Sequence, residues 1–287
     1  ILMKKVYLLP NLMTAFGLAC GLFVIFRVCL ADMSVERFDV LKITALLLCL
    51  GAISDVLDGL LARRLKAESD FGFQFDSLAD AITFGVAPSV VILKTLNLDL
   101  NTQWGLAVVF ASMVFSICAV LRLVRFNIIE MDKRDFEEVA DKHFVGLPVP
   151  AAAMTAIATN WFLFPENIAF LKNQQEMFSF NFLPVLNSQE HSFIMGISLC
   201  FLGYLMVSKW KFPSLKTLNF KVPKFHLAFT TVLLTLFILY GVIHHFPLVM
   251  FTLSWTYILL AVGAAISRKI LGRNHQALKD FEPEDEL

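Results

Sequence analysis

Within residues 54–88, SDVLDGLLARRLKAESDFGFQFDSLADAITFGVAP, two pairs of aspartates stand out. Asp55 and Asp58 are three apart, and Asp76 and Asp80 are four apart. At 100° per residue, Gly51, Asp55, Asp58, Gly59 and Ala62 fall within about 120° of one helix, and Asp76, Asp80, Thr83 and Ala87 within about 60° of another. The connection between them is short, so the two helices are expected to be antiparallel neighbours with facing stripes. Four carboxylates in one cleft repel, and an ionised carboxylate near hydrocarbon costs several kcal/mol. Hard divalent cations relieve both problems, because carboxylate oxygens are the usual ligands of Mg²⁺ and Mn²⁺. The glycines and alanine leave room for a bulky group, and with Mg²⁺ that group is commonly a phosphate. Arg63 and the Ser69 hydroxyl lie in the same stretch and suit phosphate oxygens. A single aspartate at a helix end is ordinarily a cap or a solvated face. Two pairs at these spacings, mixed with small residues, are a different pattern.

The elements that position these residues are apolar. The chain has 287 residues, 57% of them hydrophobic and 17% charged, with mean hydropathy +0.70. Soluble domains average about 25% charged residues. Runs of the roughly 20 apolar residues that a transmembrane helix needs fall near 12–31, 41–61, 77–96, 104–124, 146–164, 192–208, 226–243 and 248–266. The expected fold is an all-α integral membrane bundle of about eight transmembrane helices. Residues 1–267 read as one membrane domain, with its last helix pair at about 226–266. Residues 268–287, ending in the acidic FEPEDEL, read as a disordered tail.

Charge asymmetry orients the bundle. Lysine and arginine cluster at Lys4 and Lys5, at 63–66, at 122–142, at 209–224 and at 268–279, and are sparse in the alternate connections. Positive residues stay cytoplasmic. An even number of spans then places both termini and the aspartate connection in the cytoplasm. No cleavable signal is read after Lys4 and Lys5. The five cysteines lie in apolar runs without a CxxC pair, which excludes a disulfide framework. His143, His226, His244 and His245 show no metal-ligand spacing. No nucleic-acid partner is expected.

The run Asp55-x₂-Asp58-Gly59-x₂-Ala62-Arg63-x₈-Gly72-x₃-Asp76-x₃-Asp80 resembles the signature of the CDP-alcohol phosphatidyltransferases at every fixed position. The resemblance implies a helical membrane fold with two divalent metals, Mg²⁺ or Mn²⁺, and a CDP-alcohol lying between the metals and the first helices. It implies that Asp55, Asp58 and Asp76 are metal ligands, and that Asp80 is a ligand and also the general base. Asp58, Gly59, Ala62, Arg63, Ser69 and Gly72 match positions that face CDP. Pro10-Asn11-Leu12-Met13-Thr14 resembles the first-helix element that touches the nucleotide, through Asn11 and Thr14. A homodimer is a further implication.

Three other segments bear on the acceptor alcohol. LRLVRFN at 121–127, HFVGLPVPAAA at 143–153 and YLMVSKWKFPSLK at 204–216 resemble the phosphatidylserine synthase branch, with Val124 where alanine is common. The implied reaction is transfer of a phosphatidyl group from CDP-diacylglycerol to L-serine, at the cytoplasmic side of the cell (inner) membrane. Arg122 and Arg125 lie three apart and are candidates for the serine carboxylate, since arginine binds carboxylates bidentately. They also suit orientation anchors. Glycerol-3-phosphate or inositol phosphate as acceptor would favour arginines too. A divalent-cation transporter is the reading from another class, but it calls for acidic residues through the bilayer depth, and here they sit at one end.

Overall fold

The computed structural model describes residues 8–33, 35–64, 69–96, 98, 103–136, 144–164, 188–208, 210–212 and 246–271. The elements, numbered among these residues, are α1 (Leu8–Leu30), α2 (Arg37–Arg64), α3 (Asp70–Asp80), a π-helical segment (Ala81–Val86), α4 (Ala87–Thr95), α5 (Gln103–Phe136), β1 (Phe144–Val145), α6 (Val149–Phe162), α7 (Ser188–Val207), β2 (Lys211–Phe212) and α8 (Phe246–Leu271). Among the described residues, six helices are long and apolar enough to cross a membrane: α1, α2, the continuous α3–π–α4 unit, α5, α7 and α8. Their outer faces carry large apolar side chains such as Phe16, Phe23, Phe26, Phe110 and Leu260, as contact with lipid requires. The chain is an integral membrane protein. The expected span at 226–243, the residues 213–216 and residues 272–287 of the expected 268–287 tail lie outside the described residues, whereas 268–271 belong to α8.

The expected run at 146–164 is instead α6, a helix of 14 residues. At 1.5 Å per residue it is about 21 Å long, short of the roughly 30 Å hydrocarbon core. From Thr155 to Phe162 every residue of α6 is buried, so it serves as the centre around which α2, α4, α7 and α8 gather. Two of its polar side chains bond across the bundle. Asn160 Nδ2 donates to Thr95 Oγ1 at 2.8 Å, and Trp255 Nε1 donates to Thr159 Oγ1 at 2.8 Å.

The described residues are helical as expected, apart from one short pairing. β1 and β2 form a two-residue antiparallel ladder, Phe144 opposite Phe212 and Val145 opposite Lys211. It joins the 143–153 and 204–216 motifs, and Leu147 N donates to Leu205 O at 3.1 Å beside it. Gly146 turns the chain there with φ 85°. A Cβ at Gly146 would lie 3.3 Å from Ser208 O and closer still to Met206 O, so only glycine fits.

The signature helix starts earlier than its apolar run, at Asp70 rather than near 77. Ser69 is extended (φ −136°, ψ 148°) and its side chain accepts from Gly72 N at 3.0 Å, an N-cap that satisfies one otherwise orphaned donor. Immediately after Asp80 the helix widens into the π segment. Such bulges are rare and concentrate at functional sites. Pro88 follows it and cannot donate to the carbonyl four residues back. Neighbouring Gly85 O receives Ser116 Oγ from α5 at 2.9 Å. The π turn carries Thr83 into α1, where its Oγ1 donates to Gly17 O at 3.3 Å. Gly21 meets the same residue: a Cβ there would stand 2.7 Å from Thr83 Cα. Backbone cannot yield as a flexible side chain does, so Gly21→Ala should cost about 1–3 kcal/mol by overpacking. Thermal unfolding in detergent checks this, with a melting point lower by several degrees expected and an unchanged one refuting the close contact.

Candidate active site

Two helices deliver the carboxylates. Asp55 comes from α2, and Asp76 and Asp80 come from α3. One carboxylate oxygen from each lies within 4.8 Å of the others. Asp58, one turn beyond Asp55, is 5% exposed and faces α1, where Thr14 Oγ1 donates to its Oδ2 at 2.7 Å. Ser54 Oγ on the same helix donates to Met13 O at 2.7 Å. These bonds fix α1 against α2, so the rotamer of Asp58 is set by the first helix. The pocket they enclose is lined by Thr14, Gly17, Gly51, Asp55, Asp58, Asp76, Ala79, Asp80 and Thr83 among others. Gly51 is closely packed there: a Cβ on it would lie 3.3 Å from Thr83 Cγ2, which would have to shift by a few tenths of an ångström.

The four aspartates are therefore brought together, three as one cluster and the fourth beside it on Thr14. The other signature residues gather at the same end. Gly72 sits under Asn11, whose Oδ1 would be 3.0 Å from a Cβ there. This places the first-helix element against the start of α3. Ser69 is exposed, and its Oγ accepts the cap bond from Gly72 N. Gly59 follows Asp58 on α2 and is half-buried. Ala62 and Arg63 belong to the last turns of α2, but their side chains lie outside the described residues.

The arginine pair separates. Arg122 reaches toward the cluster, close enough to interact electrostatically with Asp80 and Asp55 and with Tyr257 of α8. Its Nε is buried without a hydrogen-bond partner. Arg125 points elsewhere: its Nη1 donates to Val207 O at 3.4 Å, at the last residue of α7. A cation suits the exposed carbonyls of a helix C-terminus. So Arg122 faces the chemistry and Arg125 holds α7 to α5.

Sequence reasoning passed over four participants. Asn127, inside the LRLVRFN run, accepts from Ser77 Oγ at 2.9 Å and so locks α5 to the aspartate helix. Tyr257 reaches Arg122 from a helix without any motif. Gly17 and Gly21 allow α1 to approach the π turn. Asn127 alone had a signal, as a polar residue two beyond Arg125 on the same apolar helix.

The arrangement fits a divalent cation. Its donors are hard oxygens, they are three and mutually close, and repulsion among them calls for positive charge. The pocket they line measures about 10 Å³, too small to enclose a nucleotide.

Residues 7–183 match the model of one protein family, CDP-alcohol phosphatidyltransferase. That span holds every signature residue and the whole acidic pocket. The chain belongs to the CDP-alcohol phosphatidyltransferase family. This phosphatidyltransferase is 31% identical over 208 residues to the CDP-diacylglycerol–serine O-phosphatidyltransferase of Bacillus subtilis, covering 72% of this chain and 91% of that one. It is 30% identical over 253 residues to the protein of the same name from Helicobacter pylori, covering 84% and 92%. A protein of that name from Methanocaldococcus jannaschii is 31% identical over 167 residues, 58% of this phosphatidyltransferase and 62% of the relative. Helices α7 and α8, and with them Tyr257, lie beyond the residues that the family model matches.

Proposed function

We propose that this phosphatidyltransferase moves the phosphatidyl group of CDP-diacylglycerol to the hydroxyl of L-serine, giving phosphatidylserine and CMP. The observation that carries the reading is the cluster of Asp55, Asp76 and Asp80 with Arg122 facing it, in a chain whose relatives bear the serine transferase name. Asp55, Asp76 and Asp80, with Asp58, are the residues to hold two divalent ions, Mg²⁺ or Mn²⁺. Bound there, such ions offset charge on the diphosphate and on the departing CMP.

The chain's own residues do the rest. Asn11, Thr14, Gly59, Ala62, Arg63, Ser69 and Gly72 surround the nucleotide at the mouth of the pocket, with Ser69 donating its remaining proton to a phosphate oxygen. Asp80 accepts the proton of the serine hydroxyl, as a base must touch the group it deprotonates. The serine oxygen then bonds to the phosphorus bearing diacylglycerol. The bond from that phosphorus to the CMP oxygen breaks, and CMP leaves with the electron pair. Asp55 lies six residues inside the end of its span and Asp76 five, about 8–9 Å deep at 1.5 Å per residue. At that depth the acyl chains stay in lipid while serine and CMP exchange with water. The charge pattern supports both termini in the cytoplasm and a cytoplasm-facing site in the inner membrane. A homodimer is the expected assembly.

Arg122 is the proposed carboxylate ligand for serine. Arg122→Gln should raise the serine KM at least about tenfold, in the range expected for losing a charge-assisted hydrogen bond of roughly 1.5–3 kcal/mol. Arg125→Gln should leave that KM within about threefold, since its contact with Val207 is exposed and worth little. CMP release measured against serine concentration, with CDP-diacylglycerol saturating, tests both. Equal serine KM for the parent and Arg122→Gln would remove Arg122 from the acceptor site.

A further inference from the structure

A second cavity opens at the opposite end of the bundle. It measures about 470 Å³ and is lined by Ala31, Asp32, Met33, Arg37, Leu93, Lys94 and Leu98. Arg37 begins the α2 span and Lys94 stands at the far end of the α3–π–α4 span. Asp55 is 18 residues along α2 from Arg37, and Asp76 is 18 residues from Lys94. The cavity is thus about 27 Å from the acidic cluster along the helix axes, near the other face of the bilayer. It has no part in the chemistry described above.

Its wall carries two cations against the one carboxylate of Asp32. Next to it, Arg27 and Glu36 cancel each other through a 2.7 Å ion pair, so Glu36 is not the counter-charge for Arg37. The Arg37 guanidinium lies over the Phe164 ring, 5.3 Å from its centroid, which fixes its direction. Its Nε is buried with no hydrogen-bond partner. A buried donor left unmet costs about 1–3 kcal/mol, so an oxygen acceptor is the missing partner. Lys94 is exposed on the same cavity, an ammonium suited to a second oxygen of that acceptor. The remaining wall, Ala31, Met33, Leu93 and Leu98, is apolar. A volume of about 470 Å³ far exceeds the roughly 30 Å³ share of a water. An anionic group on an apolar stem, met at the depth of a lipid headgroup, has the chemistry of a phospholipid.

We propose that this cavity is a second lipid site, which holds the phosphodiester of a phospholipid from the leaflet opposite the active site. Arg37 and Lys94 bind the phosphate oxygens, as guanidinium and ammonium groups do. Met33, Leu93 and Leu98 bear on the glycerol and the first acyl methylenes.

The test uses the full chain purified in detergent and dioctanoyl phosphatidylglycerol as the probe, followed by native mass spectrometry and by thermal shift. The comparison is between the parent, the double variant Arg37→Gln/Lys94→Gln, and the single variant Lys94→Gln, whose exposed site leaves folding intact. CMP release at the parent rate confirms that each variant is folded. The expected result is a dissociation constant raised at least tenfold in the double variant and about threefold in Lys94→Gln. Dioctanoylglycerol, which lacks the phosphate, should not compete. Inorganic phosphate should compete only weakly, because it lacks the apolar stem. Equal affinity in the parent and both variants overturns the site. Competition by dioctanoylglycerol equal to that of the phospholipid overturns the phosphate assignment, and equal competition by inorganic phosphate overturns the lipid one.

Discussion

Replacing Asp76 by Asn should lower kcat/KM for CMP release about 10²-fold or more without preventing insertion or folding. Asp76 shares one pocket with Asp55 and Asp80, their oxygens within 4.8 Å. An amide keeps the shape of the carboxylate and removes its charge. A metal ion contributes several kcal/mol of charge stabilisation, and each 1.36 kcal/mol is tenfold in rate. The same change relieves repulsion among the carboxylates, so the variant should melt no lower than the parent when divalent ions are absent. That opposition of signs, activity lost and apo stability kept, is what separates a ligand from a structural residue. Titrating Mg²⁺ and Mn²⁺ into parent and variant, with thermal shift and CMP release read together, checks it. Parent-like activity at ordinary divalent concentration would strike Asp76 from the ligand set.

Asp80→Asn is expected to reduce kcat more than it reduces binding of CDP-diacylglycerol. Asp80 lies one turn beyond Asp76, at the residue where the α-helix ends and the π segment begins. It is the last of the three carboxylates before the helix widens, and Arg122 lies close enough to interact with it. General-base assistance is worth about 10²–10⁴ in rate, so kcat should fall by at least that range. The affinity for CDP-diacylglycerol, measured by titration, should change by much less. A variant whose substrate affinity collapses while kcat is kept would make Asp80 a binding residue only.

The facing stripes were legible because each pair of aspartates sits within one helix, where angular spacing follows from the sequence alone. The hydrogen bond between Thr14 and Asp58 was not legible, since it depends on how α1 lies on α2. The start of α3 was missed by some seven residues because a polar first turn, capped by Ser69, precedes the apolar run that marks a span. The π segment had no sequence signature: Ala81 to Val86 is an ordinary apolar hexapeptide, and its widening follows from Pro88 and from the Ser116 bond to Gly85. Arg122 and Arg125 lie about 60° apart on one helix, so periodicity treated them alike. Only tertiary contacts send one to the aspartates and the other to the end of α7. Tyr257 stood 135 residues from Arg122 in the chain, among apolar residues that make a tyrosine unremarkable. The ladder joining Val145 to Lys211 is two residues long, too short for any alternation of polarity to announce it.

The most direct measurement is CMP release by the purified chain from CDP-diacylglycerol, after chelation and re-addition of Mg²⁺ or Mn²⁺, with serine, glycerol-3-phosphate and inositol phosphate offered in parallel. The account predicts release only when serine and a divalent ion are both present, with phosphatidylserine formed in equal amount to CMP. Release that persists in the chelator, or that follows glycerol-3-phosphate or inositol phosphate and not serine, would contradict it.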